Sequence, residues 1–375
     1  MGNKKSKSKS KPSGGKLYKD DPVFGRMVYS QTAGAWVPAE YGNQYEDIFA
    51  SYASEREKNK KYLKNVYIKP EKINNYYEDI HQSLSLIKKA NIELGIYNYV
   101  YFLNDGRLAL NFDYQLNIYS KDFETIEQTI HDKSIFITQL KDNSLVNCVY
   151  NGANIYKYNE ETKQFTLDYS LKCINNAEKV IELSNDRLAL LADNISIYFK
   201  ENGKYIKNGE DLIITTIDDF IPINDHQIAS ISGQESEITF WSLTTRKIIS
   251  QIGEIKTFGR SCMILFGLSL IVGGASRNDS VNYIYIINTI KKELIKKYSF
   301  NQNIWFMIKL NKNEFITGET EGIINKYRFE NNEVKIMEIN KDHGNAIVQR
   351  LSFCPNNNHL ASLSNNKYIL FKFNE

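Results

Sequence analysis

The first six residues, Met1-Gly2-Asn3-Lys4-Lys5-Ser6, match the N-myristoylation pattern, in which removal of Met1 exposes Gly2 as acyl acceptor and Ser6 is the preferred hydroxyl. One acyl chain holds a protein at a membrane only marginally, so stable anchoring takes a second signal. Lys4, Lys5, Lys7, Lys9 and Lys11, with Lys16 just beyond, supply one, at about 1 kcal/mol for each lysine near an anionic leaflet. The competing reading is a disordered solubilising tail, since Ser, Lys and Gly at this density cannot pack; a nuclear signal also stays open. Ser6, Ser8, Ser10 and Ser13 stand among the lysines, where phosphorylation would weaken the attraction.

No catalytic constellation accompanies that tail. The five histidines (His81, His131, His226, His343, His359) are isolated, and none has the HxxxH or HExxH spacing that places two ring nitrogens on one metal. Gly233 and Gly273-Gly274 lack the surroundings that cradle phosphates, and Ser261-Cys262 has no base beside it. The expectation is therefore no enzyme, no metal and no cofactor. Cys148, Cys173, Cys262 and Cys354 show no CxxC spacing and no signal-peptide run follows Met1, which fits a reducing cytoplasmic compartment. The most apolar segment, Cys262 to Ala275, is too short to span a bilayer and reads as two buried strands. The sequons at Asn194 and Asn278 are chance matches without an export signal.

Net charge is +3, of which the six tail lysines contribute +6, so the other 359 residues are net −3. A mildly acidic body with a cationic end argues against a nucleic-acid partner, which would call for a cationic face. Hydrophobic residues make up 42% of the chain and aromatic residues 13%, with 25 Tyr and 19 Phe, a balance that favours strands over helices.

The elements that would position any site are repeats. Val100 to Leu110 has the form strand, polar tight turn, strand, and Val180 to Leu190 nearly reproduces it. Weaker copies lie at Leu140 to Val146, Ile221 to Ala229, Met263 to Val272, Leu310 to Thr317 and Phe353 to Leu363. One apolar residue after each turn gives Leu108, Leu145, Leu188, Ile228, Leu270, Phe315 and Leu360, spaced by 37, 43, 40, 42, 45 and 45 residues. A period near 42 with four short strands per unit is that of a propeller blade. Within the first unit the strands are Tyr97 to Leu103, Arg107 to Phe112, Gln115 to Ser120 and Phe123 to Ile130. Asp113, Asn151-Gly152, Asp193 and Glu319 to Gly322 supply the hairpin links.

Third strands repeat an aromatic theme, as in Leu116-Asn117-Ile118-Tyr119, Ile195-Ser196-Ile197-Tyr198 and Ile238-Thr239-Phe240-Trp241. Over residues 82 to 375 the chain resembles the WD-repeat family, whose third strand often ends in Trp-Asp; here Tyr119-Ser120, Tyr156-Lys157 and Trp241-Ser242 stand instead, and no Gly-His precedes an inner strand. The hydrogen bonds those residues make in the family must be weak or substituted, and a propeller of another family is the alternative. The resemblance implies an all-β fold, a seven-bladed β-propeller with an N-terminal extended and helical extension, acting as a platform for protein partners. Phe258-Gly259-Arg260-Ser261 is the nearest approach to the paired-arginine motif of phosphoinositide-binding propellers, and it has only one arginine.

The final copy has only three strands, and Ser83 to Lys88 alternates like the missing outer one; the competing reading continues a helix from Tyr76. The tail is assigned to 1–16 and an arm plus helix to 17–81. Residues 17 to 42, with Tyr29, Trp36 and Tyr41, read as an extended arm whose aromatics line a groove on their own domain or dock into a partner, and Gln44 to about Tyr67 reads as a helix. Two functions follow from this layout. One is a scaffold tethered to the cytoplasmic face of an anionic membrane by Gly2 and the tail lysines, collecting proteins on the propeller faces and arm. The other is a structural subunit of a larger assembly, for example a cytoskeletal one, held by its N-terminal arm. A substrate receptor for a modifying complex would need an adaptor-binding helix pair that 44–80 barely accommodates.

Overall fold

Arg187–Leu191 and Ser269–Gly274, the second strands of two repeats, are buried along their whole length. A strand covered on both faces needs a neighbouring layer on each side, and sheets stacked radially around an axis provide it. Outer strands such as Ile126–Ile130 are largely exposed. In the computed structural model the described residues are 18–21, 25–30, 35–38, 63–64, 69–72, 84–91 and 99–373, the last range without 113–114, 174, 214–215, 256, 258–260, 275–281, 301 and 365–366.

The chain forms two compact units, Met1–Lys61 and Tyr62–Glu375. The first contains an antiparallel meander of Tyr18–Asp21, Gly25–Ser30 and Ala35–Pro38, with Tyr18 opposite Val28 and Tyr29 opposite Trp36. The backbone expected to be extended across 17–42 is thus extended but folded back on itself.

The second unit is a seven-bladed β-propeller. Its inner strands are Tyr99–Phe102, Phe136–Gln139, Lys179–Leu183, Asp219–Asn224, Ser261–Phe266, Ile304–Lys309 and Val348–Cys354, and each begins a sheet of four antiparallel strands, to which blades four and five add a fifth, parallel one. Neighbouring inner strands pack side by side around the ring, the seventh against the first. Leu84–Asn91 supplies the outer strand that the last repeat lacks, pairing antiparallel with Lys367–Phe373. The helical alternative for this stretch is excluded by that pairing.

Apolar clusters fill the space between blades. Leu191, Ile197, Phe220 and Trp241 join blades three and four, while Val100, Leu110, Leu363 and Leu370 join blade seven to blade one. The turns follow the expected chemistry. Asn185 and Asp186 both have positive φ, at 58° and 52°, and Gly152 sits so close to the neighbouring strand that a Cβ there would lie 2.0 Å from Leu171 O.

Most of the helix expected from Gln44 to Tyr67 lies outside the described residues. At Leu63–Lys64 the backbone is a strand instead, parallel to Gln251–Ile252 on the outer edge of blade four. The acid- and lysine-rich run Glu55 to Lys61 denies a helix a continuous apolar face, whereas a sheet edge offers unpaired amides. Glu71–Lys72 pairs in the same sense with Tyr298–Ser299 of blade five.

Inside the blades, the hydrogen bonds of Trp-Asp and Gly-His pairs are substituted differently each time. Trp241 Nε1 donates to Ser230 Oγ at 3.0 Å in blade four. Tyr156 OH and Asn154 Nδ2 both donate to Asp132 in blade two. In blade six the fully buried Glu319 accepts from Thr317 Oγ1 and from Tyr327 OH at 3.0 Å, and burial pushes its carboxyl up.

Blade seven uses His343, 2% exposed, whose Nε2 lies 2.7 Å from Ser362 Oγ. The Ser362 hydroxyl donates to Ile369 O at 3.3 Å, so it accepts from the imidazole and fixes the Nε2–H tautomer. Burial, with Lys367 and Lys89 nearby, lowers the His343 pKa to about 4 against the pull of Asp342. The unfolded chain binds this proton near pH 6.5 and the folded chain only near 4, so the stabilisation is complete above the first value and is lost as pH falls toward the second. Denaturant unfolding at pH 7 and pH 5 should therefore show a loss of about 2 kcal/mol on acidification that is absent from His343→Gln.

Candidate functional site

The inner strands of a closed ring all begin at one end, so whatever side chains stand there converge on the axis. Here they line a cavity of about 690 Å³ with contributions from all seven blades. Tyr99, Phe136, Trp305 and Phe306 form an aromatic side, and Glu178, Asp218 and Asp219 an acidic one.

The acidic side is held by bonds that cross blades. Lys179 Nζ meets Asp219 Oδ1 at 2.5 Å and Phe220 O at 3.1 Å. Asp219 also accepts from Met263 N at 2.9 Å, so a single carboxylate ties blades three, four and five. Ser261 Oγ donates to Asp218 Oδ2 at 3.0 Å, and Gly233 N donates to the same oxygen at 2.9 Å. Lys179 is partly buried and Asp219 buried, so each charge has its compensation in the other.

On the aromatic side, Arg350 holds its guanidinium carbon 5.4 Å from the ring centres of both Tyr99 and Phe306. Its Nη1 donates to Gln349 O at 2.9 Å, and Tyr99 packs 5.1 Å from Phe136. Cations over aromatic faces are attracted by the ring quadrupole, and the two rings keep Arg350 extended into the cavity wall. Burial and the Asp219 carboxylate push the Cys262 thiol well up, so it stays protonated and a poor nucleophile. The arrangement can grip an apolar side chain on its aromatic wall and a cationic group at its acidic rim.

Of the residues singled out in the sequence, Gly2, Lys4, Lys5, Lys7, Lys9, Lys11 and Lys16 lie outside the described residues. Among the described residues no three His, Cys, Asp or Glu side chains converge where a metal could sit. The axial residues went unrecognised in the sequence, although one signal was available. Lys179 and Asp219 each open an inner strand and are 40 residues apart, one repeat, so opposite charges recur at one position of neighbouring blades.

Replacing Lys179 with Met strands the Asp219 charge and should cost about 2–4 kcal/mol in denaturant unfolding. The double variant Lys179→Met/Asp219→Asn, which keeps the acceptor for Met263 N without the charge, should recover much of that loss. Additive costs would show that the two charges are not coupled.

No protein-family model matches the chain. The WD repeat-containing protein 55 homolog of Dictyostelium discoideum is 24% identical over 298 residues, which cover 77% of this chain and 65% of that protein. The chain therefore spans less than two thirds of that relative's length. Among solved structures, a chain of the mitotic checkpoint complex matches 82% of this chain and all of its own length, with a TM-score of 0.65 and 10% identity. The β-propeller domain of Myceliophteria thermophila Cps50 (Swd1) matches 76% of this chain and 99% of its own length, with a TM-score of 0.58 and 10% identity. At that identity the likeness to the solved structures is one of fold.

Proposed function

Taking the chain as a WD-repeat-like seven-bladed β-propeller, we propose that it is a non-enzymatic protein-interaction scaffold whose axial cavity receives a segment of a partner protein. The observation that carries this reading is the cavity wall. Arg350 braced between Tyr99 and Phe306, and Asp219 braced by Lys179 and Met263, form a preorganised mixed surface that loses little freedom on binding. Its aromatic wall suits an apolar side chain and Glu178 with Asp218 suits a cation, so the preferred segment is apolar with a Lys or Arg close by.

The scaffold is tethered at the cytoplasmic face of a membrane by a myristoyl group on Gly2 together with Lys4, Lys5, Lys7, Lys9, Lys11 and Lys16. No nucleic acid is bound, in keeping with the net −3 charge outside the tail. A second reading, a fixed subunit of a larger assembly, draws on the separate strand meander of 18–38 and on the neighbour that belongs to a multiprotein complex.

Quantitative affinity capture from cells should return one set of proteins with the wild type and lose it with Trp305→Ala/Glu178→Lys, whose thermal unfolding stays close to wild type. An unchanged set removes the cavity from the account. In the same cells, myristate should label the wild type and not Gly2→Ala, and the variant should leave the membrane fraction. An unlabelled wild type, or a variant that still sediments with membranes, supports the fixed-subunit reading instead.

A further inference from the structure

Two exposed large apolar side chains stand together at the end of the ring opposite the axial cavity. Leu268, in the turn between the first two strands of blade five, is 58% exposed, and Ile290, in the turn between its last two strands, is 65% exposed. No other large hydrophobic side chain among the described residues of the ring is more exposed.

The turns that carry them are bound to each other and shaped from within. Thr289 donates to Leu268 O from both its backbone N and its Oγ1, at 2.9 and 3.0 Å. Asn288 Oδ1 accepts from Ile290 N and Lys291 N at 2.9 and 2.8 Å, closing an Asx turn that holds Ile290 at the tip. The apolar pair is thus a fixed protrusion rather than the lining of a groove.

Its surroundings are cationic. Lys291, Lys309 and Lys312 are exposed, and none of them forms an ion pair among the described residues. Lys309 lies 4.7 Å over the Phe266 ring and donates to Leu265 O, and Lys312 borders a polar cleft beside Gly267. Lys292 is engaged with the carbonyls of Thr289 and Ile290. Glu293 and Glu330 are acids at this end, while Glu333 is paired with Lys296, and Glu314 with Lys326 and Arg328. The corresponding turns of blades one to three mix charges of both signs, as with Asp105 beside Arg107, Lys121 beside Asp122, Lys141 beside Asp142 and Asp186 beside Arg187.

We propose that this end of blade five is a membrane-contact face, with Leu268 and Ile290 inserting among the headgroups of an anionic leaflet and Lys291, Lys309 and Lys312 answering its charge. Protruding aliphatic tips ringed by lysines match a flat surface that is apolar beneath and negative on top. A protein segment would need a groove, and the cleft beside the tips is polar. The turns of blades one to three, mixed in charge and without a protruding aliphatic pair, offer the leaflet no comparable surface. The inference extends the membrane tether proposed above and is tested apart from it.

The probe is the full-length, unacylated chain with phosphatidylcholine vesicles, with and without about 30% phosphatidylserine, read by flotation. Leu268→Asp/Ile290→Asp and Lys291→Glu/Lys312→Glu should each lower partitioning to the anionic vesicles tenfold or more with the tail intact. The lysine variant leaves every packed side chain in place, so it decides the matter if the aspartate variant folds poorly. A tail variant with all six lysines changed to Gln should lose binding separately. Wild-type partitioning by both blade-five variants overturns this inference; if the tail variant then fails to bind, the tether reading stands without it. Loss in the blade-five variants with full binding by the tail variant overturns the tail's electrostatic role and keeps this inference. Unchanged vesicle binding together with loss of cross-links from Lys291 or Lys312 to a soluble acidic protein would assign the patch to that protein and overturn the inference.

Discussion

The ring depends on one ladder, the antiparallel pairing of Leu84–Asn91 with Lys367–Phe373. It joins a segment near the start of the second unit to its C-terminal strand, and without it the last blade would expose an edge along Lys367–Phe373. Closure also brings the Leu363 and Leu370 face of blade seven against Val100 and Leu110 of blade one, so that no inner sheet is left with an uncovered face. A sheet buried on both sides is stable only when both neighbours are present, which makes the seven blades a cooperative unit. The contact spans nearly the whole unit in sequence, so its loop-closure entropy is met late and folding should be slow for the size of the domain.

Closure explains why the axial cavity can be built from side chains scattered across the chain. Tyr99, Lys179, Asp219, Met263, Phe306 and Arg350 share nothing in sequence except a position at or near the beginning of an inner strand. The bonds that brace them run between blades, from Lys179 to Asp219 and from Asp219 to Met263, so the site exists only in the closed ring. Deeper in the blades, each substituted polar pin is local. Glu319 with Tyr327, Trp241 with Ser230 and His343 with Ser362 each lie within one blade or at its leading loop, which accounts for their being free to differ from blade to blade.

The parts of this architecture that were legible in the sequence are those encoded by repetition. The Asn104-Asp105-Gly106 and Asn185-Asp186 turns between alternating strands give the period directly, because tight hairpins demand residues that tolerate positive φ. The closing strand was legible as the partner of a missing fourth strand. Leu63–Lys64 and Glu71–Lys72 were not, since a two-residue edge strand has no periodicity and its register is set by the partner. Arg350 was also hidden, because its significance lies in two rings from other blades, Tyr99 and Phe306. Leu268 and Ile290, 22 residues apart, have no sequence signal that links them; the hydrogen bonds of Thr289 bring their turns together.

Hydrogen exchange of the full chain, resolved to peptides, tests the closed ring most directly. The account predicts that amides of 84–91 and 367–373 are protected together and exchange at the same rate as the second strands of the other blades, through global unfolding. Rapid exchange across 84–91 with continued protection of 367–373 would show that the ring is closed by another means, and would contradict the constraint on which the fold and the axial site are built.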